Sequence, residues 1–315
     1  MSPERSHPAD NEQECIERSI PMDVMPDWRK EPGTGLWEFG KKIEAISVAH
    51  APETIEIPEN IKEISKKLSN KETPTFFNGP FANVEAVRFT TDNRILIDTK
   101  ETNLFSYLAA SYANREHMGD NPIRPLAAQA TVFSPDGKKI VLERRSNDLT
   151  DFPGKLSVFG GALKPGESPE QRIVEIINKK LGLDIAPDQV TATGLCRENI
   201  NNIFCALFSI RLNENQYEDG KHRAKEKMKS KERMFYQVSA EKATESIERI
   251  FLGKRDITEW EPNAFYNILY ALAANGLRTK DDIEKILQRT REKLQSKPFS
   301  YIYPIQKHLD NEINK

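Results

Sequence analysis

Two short apolar runs, Leu126 to Phe133 and Lys139 to Glu143, flank Ser134-Pro135-Asp136-Gly137. Pro and Gly stand where a type I turn takes them, so this stretch predicts a β-hairpin. Strand-like runs recur at Ile46 to Ile57, Val84 to Phe89, Ile95 to Thr99, Val190 to Cys196, Ile203 to Leu212 and Met234 to Val238. Helical spacing appears at Ile61, Ile64 and Leu68 behind Pro58-Glu59, and again from Asn103 to Tyr112. Two further helices are expected at Pro262 to Asn275, closed by Gly276, and at Lys280 to Leu294, with Ile283, Ile286, Leu287 and Leu294 on one side. The mixture of periods predicts an α/β protein.

The pattern breaks down near the start of the chain. Pro3, Pro8, Pro21, Pro26 and Pro32 interrupt residues 1–42, which read as a loosely ordered arm. Trp28 and Trp37 qualify that reading, because tryptophan seldom stays exposed without a surface to pack on. The expected organisation is an arm at 1–42, an α+β subdomain at 43–120, a larger α/β domain at 121–260 and a helical segment at 261–315.

The richest stretch runs from Phe159 to Leu183. Gly160 and Gly161 end a strand and allow the backbone to approach a ligand or a neighbouring segment closely; Pro165-Gly166 then turns the chain. Ser168 is an N-cap, Pro169 takes the first helical position and Gln171 completes a capping box. Ile173, Ile177 and Leu181 form a buried stripe, and Gly182 ends the helix.

On these residues the chain resembles the Nudix hydrolases, whose box runs Gly, five residues, Glu, seven residues, Arg-Glu-apolar-any-Glu-Glu-any-Gly-apolar. Gly161, Glu167, Ile177, Gly182 and Leu183 match it. The resemblance extends to Phe77-Asn78-Gly79-Pro80, Arg124-Pro125-Leu126, Glu143-Arg144-Arg145-Ser146 and Ser230-Lys231-Glu232, an arrangement similar to members acting on nucleoside diphosphate sugars. It implies a Nudix-type α/β/α sandwich with a mixed sheet, an N-terminal α+β extension and C-terminal helices. It also implies a substrate cleft lined near Arg144 and Arg145, one of which should face it because side chains alternate along a strand.

The departures lie in the charges. Where the family has Arg-Glu and then Glu-Glu, this chain has Glu175-Ile176 and Lys179-Lys180. Magnesium on a diphosphate is a hard cation held by oxygen, so isoleucine and lysine cannot replace those carboxylates. Glu167, aided by Glu170, is what remains for a metal. Glu175 stands at the arginine position, and Arg172, one turn earlier, is placed to compensate.

Three readings follow. Lys179 and Lys180 could contact the phosphates of a nucleotide-like ligand, with Arg144, Arg145, Gly160 and Gly161 lining the same site and no firmly implied cofactor. Glu167 could serve a residual pyrophosphohydrolase that holds Mg2+ with Glu170 and a carboxylate from another loop, such as Glu198 or Glu232. The chain could instead be a scaffold that binds a protein through its arm or its C-terminal helices.

Composition narrows the partners. In 315 residues, 46 Lys+Arg nearly cancel 48 Asp+Glu, so no global field favours nucleic acid or an anionic membrane. The basic run from His222 to Lys231 lacks aromatic interleaving and reads as a solvated segment. Cys15, Cys196 and Cys205 are too few and too scattered for a disulfide framework, which together with the lack of an apolar leader predicts a cytoplasmic setting. His7, His50, His117, His222 and His308 lack metal-ligand spacing.

Overall fold

The computed structural model describes residues 16–22, 30–31, 33–69, 78–114, 121–145, 154–229, 235–239 and 261–296. Trp28, Cys15, the Phe77 end of the upstream turn, Ser146 and the Ser230-Lys231-Glu232 motif lie outside the described residues.

Two mixed sheets carry the architecture. The first is ordered β1 (Ile16–Ser19), β4 (Pro80–Thr90), β5 (Arg94–Asn103), β3 (Ala45–Thr54), with β3 parallel to β5 and the other pairs antiparallel. The turn between β4 and β5 holds Asn93 at φ 64, a left-handed conformation that asparagine tolerates. Beside this sheet, α1 (Glu59–Ser69) and α2 (Leu104–Ala113) bury Ile61, Leu68, Phe105 and Leu108 in a cluster of their own. Asn103 caps α2 by accepting from the Ser106 N–H at 2.9 Å.

The second sheet runs β12 (Phe235–Ser239), β7 (Lys139–Arg144), β6 (Leu126–Phe133), β11 (Ile203–Arg211), β10 (Val190–Glu198), β2 (Gly33–Gly35). Short strands β8 (Leu156–Ser157) and β9 (Phe159–Ala162) pair with β7 and β6. Only β11 and β6 are parallel in this sheet. It lies between α3 (Pro169–Leu181), which packs on β9 and β6, and α5 (Pro262–Ala274), which packs on β10, β11 and β6. The expected mixed α/β sandwich is therefore what forms. The predicted hairpin joins β6 to β7, with Gly137 at φ 71 closing its turn. The basic run opening at His222 falls in α4 (Glu214–Lys229), and α6 (Lys280–Ser296) buries Ile283, Ile286, Leu287 and Leu294 as its spacing predicts.

The described part of residues 1–42 differs from a loose arm. It supplies a strand to each sheet, and Trp37 is buried with its ring centroid 5.3 Å from that of Phe89. Tyr270 on α5 anchors this segment, since its hydroxyl accepts from the Trp37 N–H at 3.1 Å and donates to the Trp37 carbonyl. One apolar core runs continuously from Trp37 and Phe89 through β6, β10 and β11 to α3 and α5. Cys196 and Cys205 sit buried opposite each other on β10 and β11 as free thiols, and burial pushes the Cys205 thiol well above its ordinary range. No helix among the described residues is long and apolar enough to cross a membrane.

Candidate functional site

The strand, loop and helix from Phe159 to Leu183 form as their chemistry dictates. Ser168 is extended at φ −77, ψ 135 and its hydroxyl accepts from the Gln171 N–H at 3.4 Å. The same hydroxyl donates to Glu170 at 2.9 Å, so the cap closes through Glu170. Gly182 ends the helix in the left-handed region at φ 67. Ser168→Ala is expected to lower unfolding free energy by about 1 kcal/mol. A shift in the urea midpoint with unchanged slope would check this.

The paired glycines serve the scaffold rather than an open approach. A Cβ on Gly160 would lie 2.5 Å from the Gln129 Cγ and 2.9 Å from the Ala128 carbonyl, both on the neighbouring β6. A Cβ on Gly161 would come within 3.0 Å of the Ile176 Cδ1. The Ile176 side chain thus lies directly over Gly161, and Ile176 is buried.

Four residues on, one turn along the same helix face, Lys180 follows Ile176 inward. Its ammonium donates to Glu143 Oε1 at 2.7 Å and to the Gly160 carbonyl at 3.4 Å. Both partners are shielded, with Lys180 19% and Glu143 9% exposed at the side chain. Glu143 comes from the end of β7 and lies 37 positions before Lys180 in the chain. Lys179 is turned by roughly 100° from its neighbour and is exposed. The two lysines therefore do not act as a pair.

At the start of the helix, Arg172 makes the compensating contact. Its guanidinium lies 3.7 Å from Glu167 and 3.4 Å from Glu175 and donates to the Ala162 carbonyl at 3.2 Å. Glu167 also accepts the Lys164 N–H at 2.8 Å, closing the loop before the helix. One arginine thereby lies close to both Glu167 and Glu175.

The strand-end arginines are engaged with other parts of the protein. Arg144 donates to the Gly154 carbonyl at 2.7 Å. Arg145 faces Glu261, 3.3 Å away at the N-terminus of α5, and Glu261 also receives the Ser157 hydroxyl. Sequence reasoning missed Glu261 and the part played by Glu143. The available signal for Glu143 was its place in the alternation of β7, two residues after the buried Val141 on the same side of the strand. Glu198 is buried and accepts N–H bonds from Ile200 and Asn201 in the turn between β10 and β11.

These donors do not fit magnesium, which needs about six oxygens in near-octahedral array. The inward helix positions carry an isoleucine and an ammonium, Glu167 is bound to Lys164 and faces Arg172, and Glu170 is held by the cap. Among the described residues no group of three or more His, Cys, Asp or Glu side chains could hold a metal ion. A separate groove of about 560 Å³ lies between Phe39 and α6, away from this helix, and Asp281, Glu284, Lys285 and Arg291 line it with mixed charge.

No family model and no curated protein matches the chain. Similar solved structures include a MutT/Nudix family protein from Listeria innocua, 16% identical, covering 52% of this chain and 97% of that one, with a TM-score of 0.36. MutT from a structure and function study of Aliivibrio salmonicida and Vibrio cholerae is also 16% identical, covering 37% of this chain and 81% of that one, at 0.28. A MutT/Nudix family protein from Enterococcus faecalis is 13% identical, covering 29% of this chain and 38% of that one, at 0.26.

Proposed function

We propose that this chain is a Nudix-like protein that binds a nucleoside diphosphate-linked ligand, such as a nucleotide sugar, without hydrolysing it. The Lys180 ammonium held between Glu143 and the Gly160 carbonyl carries this reading. The Lys180 ammonium, ion-paired with Glu143, is fixed on a side chain and cannot act as a Lewis acid toward a phosphoryl group or lower the pKa of a bound water as a metal does. An ammonium does offer a diphosphate a charge-assisted hydrogen-bond donor. The cap, turn and glycine packing support the strand-loop-helix that the resemblance implies, and Ile176, Lys179 and Lys180 stand on its helix where the resemblance expects carboxylates. The nucleotide-sugar preference rests on the order of short motifs around the box.

Thermal-shift profiling against nucleotides, nucleotide sugars and ADP-ribose, in EDTA and in Mg2+, tests this. A ligand of the folded state raises the melting temperature through mass action, and the same rise is expected in both buffers. A rise that needs Mg2+ contradicts the proposal, as does release of cleaved product.

A further inference from the structure

We propose that Cys196 and Cys205 are a redox pair, closed by hydrogen peroxide into a cross-strand disulfide that staples the β10–β11 hairpin. The two cysteines stand directly opposite each other in the antiparallel ladder of β10 and β11. Opposed residues of such a ladder keep their Cα atoms about 4.5 or 5.5 Å apart and send their side chains to the same face. Both separations fall within the range of about 4.4–6.8 Å that a disulfide spans, so the bond can close without moving the strands. The two thiols are free, fully buried and hydrogen-bonded to each other. Small residues flank them across the sheet, Gly35 of β2 beside Cys196 and Ala127 of β6 beside Cys205.

The surroundings select a small oxidant. Tyr270 of α5 covers Gly194 and Gly35, the neighbours of Cys196 along and across the sheet. A bulky disulfide reagent reacts through a mixed disulfide, which this packing has no room for, whereas hydrogen peroxide leaves only one oxygen on sulfur. One cysteine attacks the peroxide as its thiolate; an S–O bond forms, the O–O bond breaks, and hydroxide leaves to take up the thiol's proton as water. The opposing thiol then attacks the sulfenic sulfur; the S–S bond forms, the S–O bond breaks, and a second water leaves. The pair loses two hydrogens and two electrons, and one peroxide is reduced to two waters. Burial, which pushes the Cys205 thiol up, keeps the reaction slow, so the pair answers sustained exposure. The bridge spans a buried turn in which Asn199 donates to the Glu31 carbonyl and to Thr34, so closure also fixes the corner where β2 joins the sheet.

Peroxide treatment of the full chain carrying Cys15→Ser, which leaves this pair as its only thiols, tests the proposal. Trypsin cuts after Arg197, between the two cysteines, so the bridge joins two otherwise separate peptides. The expected product is lighter by two hydrogens, has no thiol left to alkylate, yields the linked peptides and returns to the dithiol with dithiothreitol. Its urea midpoint is expected to lie above that of the reduced chain by on the order of 0.5–1 M. Adding Cys196→Ser or Cys205→Ser should abolish both the link and the rise. If either serine variant does not fold, the oxidised and reduced forms of the parent chain decide alone. Four results overturn the proposal: sulfinic acid at either cysteine, a link between two chains, a midpoint that does not rise, or thiols that stay free under peroxide that fully oxidises the urea-unfolded chain.

Discussion

Lys180→Met is expected to lower the unfolding free energy by about 3 kcal/mol, because it strands Glu143 as a shielded, unpaired carboxylate. Methionine matches the lysine stem in length, so the loss reports the ammonium and not the packing. The 2.7 Å contact and the low exposure of both partners place this pair in the class where removing one member costs more than removing both. Lys180→Met combined with Glu143→Leu should accordingly recover most of the loss. Urea unfolding of the wild type, both single variants and the double variant gives the coupling directly. A purely solvated lysine would cost only a few tenths of a kcal/mol.

Tyr270→Ala is expected to cost more, about 3–5 kcal/mol, as a buried aromatic truncated in a packed core. Its ring stacks on Phe39 with centroids 4.1 Å apart and covers Gly194, where a Cβ would lie 2.5 Å from the Tyr270 Cδ1. Its hydroxyl bonds both backbone groups of Trp37, and burial pushes the phenol far above its ordinary pKa, which keeps it protonated as a donor. Tyr270→Phe removes those two bonds alone and should cost about 1–3 kcal/mol. Quenching experiments on Trp37 fluorescence would be confounded by Trp28 and Trp260. Urea midpoints are the cleaner readout.

Local chemistry makes much of the fold legible in the sequence. The turn at Ser134 to Gly137, the cap at Ser168, the stop at Gly182 and the apolar stripes of the last two helices each follow from interactions within a few residues. Contacts that join distant strands were not legible. Proline content made residues 1–42 look loose, whereas Gly33–Gly35 pairs with Glu198 to Cys196 and Trp37 enters the core. The paired Gly160 and Gly161 looked suited to a ligand, but their missing Cβ atoms make room for Gln129 and Ile176.

The candidate site divides along the same line. The contacts of Arg172 with Glu167 and Glu175 could be read from spacing along one helix. The meeting of Lys180 with Glu143 could not, because it depends on β7 and β9 flanking one end of α3. Adjacent lysines looked like a phosphate-binding pair; the helix turns one inward and leaves the other in solvent.

Calorimetric titration of a nucleoside diphosphate sugar into the wild-type chain, once in EDTA and once in Mg2+, with phosphorus magnetic resonance of the mixture afterwards, tests the central claim most directly. The account predicts one binding isotherm common to both buffers and an intact diphosphate. Heat that appears only with Mg2+, accompanied by cleavage of the diphosphate, would contradict it.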